Sequence, residues 1–126
     1  MKTRILIADD SKFSRKLIQE IVESAGHDVI DCVSDGVQAL DSFKSKSPDV
    51  VLLDITMPNM SGKECLAEIL KTNHSAKVVM ISALTKPSLE SECLSIGAKA
   101  FLSKSMNEEP DAFRNAILET IRKLAA

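Results

Sequence analysis

Asp49-Val50-Val51-Leu52-Leu53-Asp54-Ile55-Thr56-Met57-Pro58 is the stretch on which the fold of this chain turns. Its apolar run, Val50 to Leu53, has no polar alternation and is closed by an aspartate at each end. A strand with one wet face would alternate, so this run reads as a strand covered on both faces, as in a parallel sheet. Ile5-Leu6-Ile7-Ala8 and Val78-Val79-Met80-Ile81 repeat the pattern. Val29-Ile30 running to Val33, and Ala100-Phe101-Leu102, are weaker forms of it.

Longer amphipathic stretches lie between these runs. Phe13, Leu17, Ile18, Ile21, Val22 and Ala25 recur at helical spacing, and Gly26 is placed to end that helix. Val37, Leu40 and Phe43 mark a second helix, with Pro48 ahead of the next strand. Ser61-Gly62-Lys63-Glu64 has the form of a capping box before Cys65, Leu66, Ile69 and Leu70. Pro87 suits a first helical position, followed by Leu89, Cys93, Leu94 and Ile96, with Gly97 as a stop. Pro110 is expected to open a last helix carrying Phe113, Ala116, Ile117, Ile121 and Leu124. Strand and helix thus alternate five times. Crossovers of this length join parallel strands, so the economical fold is α/β: a doubly wound five-stranded parallel sheet with five helices on its two faces.

The chain has 126 residues, enough for one domain with a real core, and it is expected to be a single domain over 1–126. Apolar residues make up 44% and charged residues 27%, the balance of a soluble globular protein. With 16 basic and 18 acidic side chains the net charge is −2, so there is no basic surplus for nucleic acid. Cys32, Cys65 and Cys93 form no C-x-x-C pair and read as small packed side chains in a reducing compartment. No run is long enough to cross a bilayer and no signal-peptide core follows Met1, so a cytoplasmic location without membrane contact is expected. His27 and His74 read as surface residues, and the five Met as packing.

In an open α/β sheet, ligands bind beyond the carboxyl ends of the strands. The polar residues there are Asp9 and Asp10 after the first strand, Asp54 after the third, Ser82 after the fourth, and Ser103 and Lys104 after the fifth. Taken singly, Asp9 and Asp10 could be helix caps, and Lys104 a solvated lysine. Together, three carboxylates on one rim repel one another unless a cation joins them. Hard oxygen ligands that leave room for water suit Mg²⁺, and the absence of His argues against zinc. A lysine and a hydroxyl beside such a site offer charge and a donor to phosphoryl oxygens, and an aspartate can accept phosphate as an acyl phosphate.

With these residues in place, the chain resembles the receiver domain of bacterial two-component response regulators, in its CheY-like, single-domain form. The resemblance rests on Ile-Leu-Ile-Ala-Asp9-Asp10, Asp-Val-Val-Leu-Leu-Asp54-Ile-Thr-Met-Pro, Met-Ile-Ser82-Ala83 and Gly97-Ala-Lys-Ala-Phe101-Leu-Ser-Lys104, and covers essentially the whole chain. It implies strand order 2-1-3-4-5, with Asp54 as phosphoacceptor and Asp9, Asp10, Asp54 and the Thr56 carbonyl around Mg²⁺. It further implies Lys104 as the lysine that pairs with the phosphoryl group, and Ser82 and Phe101 as the switch pair. The donor would be a sensor histidine kinase or a histidine phosphotransfer protein. The output partner would bind around the fourth helix, fifth strand and fifth helix. A monomeric signalling protein without substrate turnover of its own is expected, in chemotaxis-type signalling or a phosphorelay.

Ser105 stands where the family usually has Pro, often with a cis bond, and the stretch to Glu109 is slightly long. Phe101 lacks the hydroxyl of a Tyr. Thr56 and Leu84 occupy positions that tune dephosphorylation in the family, and an apolar Leu84 gives no help to an attacking water, so a long-lived phosphorylated state is expected. One alternative is an unphosphorylated receiver-like scaffold. Another is a haloacid-dehalogenase-type phosphatase, which wants a second Asp where Thr56 stands. A flavodoxin-like FMN carrier would need a Ser/Thr/Gly phosphate loop in place of Asp9-Asp10, and aromatic residues to hold the flavin; the chain has no Trp or Tyr.

Overall fold

The computed structural model describes residues 2–83, 86–104 and 111–125. Strands and helices alternate as β1 (Arg4–Ala8), α1 (Lys12–Ser24), β2 (Asp28–Val33), α2 (Gly36–Lys46), β3 (Val50–Asp54), α3 (Gly62–Thr72), β4 (Val78–Ser82), α4 (Pro87–Ile96), β5 (Ala100–Ser103) and α5 (Ala112–Ala125). The strands form one parallel sheet in the order β2-β1-β3-β4-β5, as the resemblance implied.

Every residue of β3 and β4 is buried, which is the reason their sequences show no polar alternation. The period of two is present all the same, because it sorts residues between two cores rather than between core and water. Ile5, Ile7, Val50, Leu52, Val79 and Ile81 meet Ile18, Ile21 and Val22 of α1 and Phe113, Ile117 and Ile121 of α5. Leu6, Ala8, Val51, Leu53, Val78 and Met80 meet Ala39 and Phe43 of α2, Cys65, Leu66 and Ile69 of α3, and Cys93 of α4. Each fully buried Leu or Ile contributes about 1.5–3 kcal/mol relative to an exposed one.

Local signals set the helix ends. Ser11 caps α1, its hydroxyl accepting from the Ser14 N–H at 3.3 Å, so neither Asp9 nor Asp10 is spent as the cap. Asp35 caps α2 by accepting from the Gln38 N–H at 2.8 Å, and Ser61 caps α3 by accepting from the Glu64 N–H at 3.2 Å. Pro87 opens α4 as the sequence predicts, and Gly97 closes it at φ +132°, a left-handed conformation with Leu70 packed against its backbone. The opening of the last helix at Pro110 lies outside the described residues.

Five residues read as members of apolar helical stripes are exposed instead: Phe13, Ala25, Val37, Leu94 and Ile96. Phe13 and Val37 sit in first turns, beyond the ends of the strands, where the sheet offers nothing to pack against. In α4 only Cys93 is fully buried, so this helix rests on the core along a narrower strip than its sequence suggests. Cys65 and Cys93 are buried and Cys32 half-buried, all as free thiols. His74 is exposed and His27 half-buried. No helix among the described residues is long and apolar enough to cross a membrane.

Candidate functional site

The chain reverses direction across the sheet between β1 and β3: β2 lies outside β1 on one side, β4 and β5 outside β3 on the other. The two strands are in register as far as Ala8 opposite Leu53. Asp9 and Asp54 therefore leave the sheet side by side, at the switch point where open α/β sheets bind ligands. Asp54 pairs with Ile81 and Ser82 with Ser103, so Ser82 and Lys104 continue the same rim one and two strands further on.

Oxygens from Asp9, Asp10 and Asp54 lie within 4.8 Å of one another, the first and last buried and Asp10 exposed. Lys104 reaches back across β4 to bring Nζ within 2.7 Å of Asp9 Oδ2 and 3.7 Å of Asp54 Oδ1. The closer contact is thus with Asp9. Among the described residues, one cation set against three carboxylates leaves the cluster with uncompensated negative charge around two buried carboxylates. Burial, then the Asp9 carboxylate, push the Asp54 carboxyl up; Lys104 opposes them and Asp10 adds to them, and the outcome is about 7.

The acidic cluster fits Mg²⁺. Asp9 Oδ1 is engaged by the Ser11 N–H at 2.9 Å, whereas Asp9 Oδ2 is buried and accepts no hydrogen bond among the described residues, meeting only the Lys104 charge. That oxygen, with Asp54 beside it and the more exposed Asp10 at the mouth, is a hard-ligand set that leaves coordination positions to water. Thr56, exposed, follows Asp54 by two residues in the loop to α3.

That loop is held by close backbone approach. The Gly62 N–H donates to the Ile55 carbonyl at 2.7 Å, and Gly62 lies so tightly against the Asp54 carbonyl that a Cβ there would collide with it. Met60 presses in the same way on Gly36, and Asn59, at φ +69°, donates from Nδ2 to Asp35 Oδ2 at 3.0 Å. Met57 and Ile55 are buried beneath the loop. Ile-Thr-Met-Pro therefore returns the chain onto β3 and keeps Asp54 at the rim.

Asp9, Asp10, Asp54 and Lys104 are brought together as the sequence predicts. Ser82 is buried one strand away from Asp54, and Phe101 is half-buried against the core formed with α2, α3 and α4. Leu84, which bears on phosphate lifetime, and Ser105, which bears on the backbone beside Lys104, lie outside the described residues. Sequence reasoning missed Arg15, whose Nη1 donates to the Asp9 main-chain carbonyl at 2.7 Å. Its only signal was a position one helical turn after Ser11, which names no partner.

A family model described as the response regulator receiver domain matches residues 5–117. The chemotaxis protein CheY of Treponema pallidum is 42% identical over 120 residues, covering 94% of this chain and 79% of that protein. CheY of Bacillus subtilis is 37% identical over 123 residues, covering 98% of each. Among solved structures, the CheX-CheY-BeF₃-Mg²⁺ complex from Borrelia burgdorferi is similar with a TM-score of 0.89 and 37% identity, covering 98% of this chain and 90% of that one.

Proposed function

We propose, from the premise that this chain belongs to the response regulator receiver family and serves two-component signalling, that it takes a phosphoryl group on Asp54 and thereby switches a protein-binding surface. The observation that carries this reading is the meeting of Asp9, Asp10, Asp54 and Lys104 on one rim, with a buried Asp9 oxygen that accepts no hydrogen bond among the described residues. The phosphodonor is a phosphohistidine of a sensor kinase or histidine phosphotransfer protein. An Asp54 carboxylate oxygen attacks phosphorus as the phosphorus–nitrogen bond breaks; the imidazole departs and an acyl phosphate remains.

Asp9, Asp10, Asp54 and the Thr56 carbonyl would hold Mg²⁺, which supplies positive charge to the phosphoryl oxygens when bound. Lys104, 3.7 Å from Asp54 Oδ1, neutralises further charge there. Ser82 then follows the new phosphoryl oxygens, and Phe101 repacks inward, biasing a surface formed by α4, β5 and α5 toward its output partner. The Borrelia burgdorferi relative is solved in complex with CheX, and a protein of that kind is one partner this surface would serve. The protein works as a monomer in the cytoplasm and turns over no substrate of its own.

The test is intact-mass spectrometry after incubation with acetyl phosphate. Gain of a single phosphoryl group that requires Mg²⁺ and vanishes in Asp54→Asn is the expected result. A wild-type chain that gains nothing under any condition would favour the scaffold reading, and steady hydrolysis of small phosphate esters the phosphatase one.

A further inference from the structure

Asp9 carries the acidic site more than its neighbours do, being nearly fully buried and having an oxygen that accepts no hydrogen bond among the described residues. Its orientation is set at separate points. The Asp9 N–H donates to the Val33 carbonyl of β2 at 3.1 Å, and Oδ1 accepts from the Ser11 N–H at 2.9 Å. The Asp9 carbonyl belongs to the peptide that joins Asp9 to Asp10, and it lies past the last β1–β3 residue pair, Ala8 opposite Leu53. Arg15 Nη1 satisfies it at 2.7 Å from the first turns of α1, in a partly buried position. Of these three hydrogen bonds, this alone comes from a side chain, and it is charge-assisted, about twice as strong as a neutral one.

We propose that Arg15 is a positioning residue for the divalent cation and the phosphodonor: by gripping the Asp9–Asp10 peptide it fixes both carboxylates toward the cation site while keeping its own charge off them. The distinction from Lys104 is geometric. Lys104 touches carboxylate oxygens and so competes with a cation for Asp9 Oδ2, whereas Arg15 Nη1 donates to a main-chain carbonyl and leaves the carboxylate oxygens free of that competition. Arg15 thus holds the Asp9–Asp10 peptide from behind and leaves the carboxylate oxygens available. The proposal rests on the receiver reading above.

The experiment compares wild type with Arg15→Ala, Arg15→Gln and Arg15→Lys. Arg114→Ala serves as control, removing the Nη2 donation to Ser24 Oγ at 2.9 Å, which ties α5 to the last turn of α1, the opposite end of that helix from Arg15. Since the chain has neither Trp nor Tyr, Mg²⁺ affinity is read from amide NMR shifts at Asp10 and Ser11 and by calorimetry. Initial phosphorylation by acetyl phosphate is read at saturating Mg²⁺. Arg15→Ala is expected to weaken Mg²⁺ about 5-fold and to slow phosphorylation by about 10-fold in the maximal rate, with KM for acetyl phosphate held within 2-fold. Arg15→Lys, which keeps charge and one donor, should recover much of both; Arg15→Gln, which keeps a donor without charge, should recover less. Arg114→Ala should change neither, whatever it does to the melting temperature.

Mg²⁺ affinity and rate within 2-fold of wild type in Arg15→Ala and Arg15→Gln would overturn the proposal while leaving the receiver reading intact. So would losses matched by Arg114→Ala, which would mark Arg15 as a general support of α1. Failure of the wild type itself to bind Mg²⁺ or gain phosphate would overturn both. Should Arg15→Ala not fold, the ordering of Lys above Gln decides.

Discussion

At the scale of single residues, the balance at Asp54 sets how the protein answers to pH. Its carboxyl rises from 3.8 to about 7 because it is buried beside Asp9, which Lys104 only partly offsets. An acid whose native pKa exceeds its unfolded value stabilises the fold fully below the unfolded value, and that contribution is lost as pH rises through the native one. Metal-free protein is therefore expected to melt at a temperature lower by about 5 °C at pH 8 than at pH 5. Asp54→Asn should melt above wild type at pH 8 and show little slope between these values, and Mg²⁺ should raise the wild type toward it. Asp35, held below its ordinary value chiefly by the Gln38 N–H, weakens the fold only as pH falls below 3.8, outside that window. Calorimetric scans with and without Mg²⁺ check all of this; a flat wild-type profile would count against it. Lys104→Ala should separate the lysine's two effects. Freeing Asp9 Oδ2 from a cation 2.7 Å away should tighten Mg²⁺ a few-fold. Losing the charge beside the incoming phosphoryl group should slow phosphorylation by about 10–100-fold.

At the scale of elements, the loop from Asp54 to α3 shows why position in the chain matters more than residue type. Ser61 and Gly62 are adjacent, yet the first acts on the helix and the second on the site. Ser61→Ala removes the cap on the Glu64 N–H and is expected to cost about 1 kcal/mol in denaturant titrations, with phosphorylation rate unchanged. Gly62→Ala would drive a Cβ into the Asp54 carbonyl and within 2.7 Å of Ile55 Cα. The backbone under the acceptor must then shift, so a cost of about 1–3 kcal/mol should come with a markedly slower phosphorylation. Equal rates in the two variants would show that the loop does not set the acceptor's geometry. The edge of β2 illustrates a different local arrangement. The β1–β2 register shifts between Ile5 and Leu6, and Asp31 of β2 meets Ser42 Oγ at 2.7 Å and Lys46 Nζ at 3.1 Å on α2.

At the scale of the whole molecule, the sheet separates two cores, and this predicts how the fold fails. Leu66→Ala empties the core under α3 and Ile117→Ala the one under α5; each should cost about 2–5 kcal/mol, and together they should add to within about 0.5 kcal/mol. Urea unfolding of the two single variants and the double one tests it, and a large coupling term would mean that the sheet transmits strain between its faces. This same layering explains what the sequence by itself determined. Unbroken apolar runs with amphipathic stretches between them specify strands buried on both sides, hence parallel strands and an α/β sheet, because burial leaves its mark residue by residue along the chain. The terminal polar residues of those runs, Asp9, Asp54, Ser82 and Lys104, were legible as a rim for the same reason: where a strand stops, its composition changes. Only the tertiary structure decided which of them meet. The register of β1 against β3 sets Asp9 beside Asp54, the reach of Lys104 across β4 favours Asp9, and the fold of α1 brings Arg15 onto the Asp9 carbonyl. It also left Phe13 and Val37 in water, although their spacing alone would bury them. Hydrophobic pattern is a property of neighbours in sequence, whereas charge pairing and exposure depend on what the other elements place nearby, and no spacing along one helix encodes that.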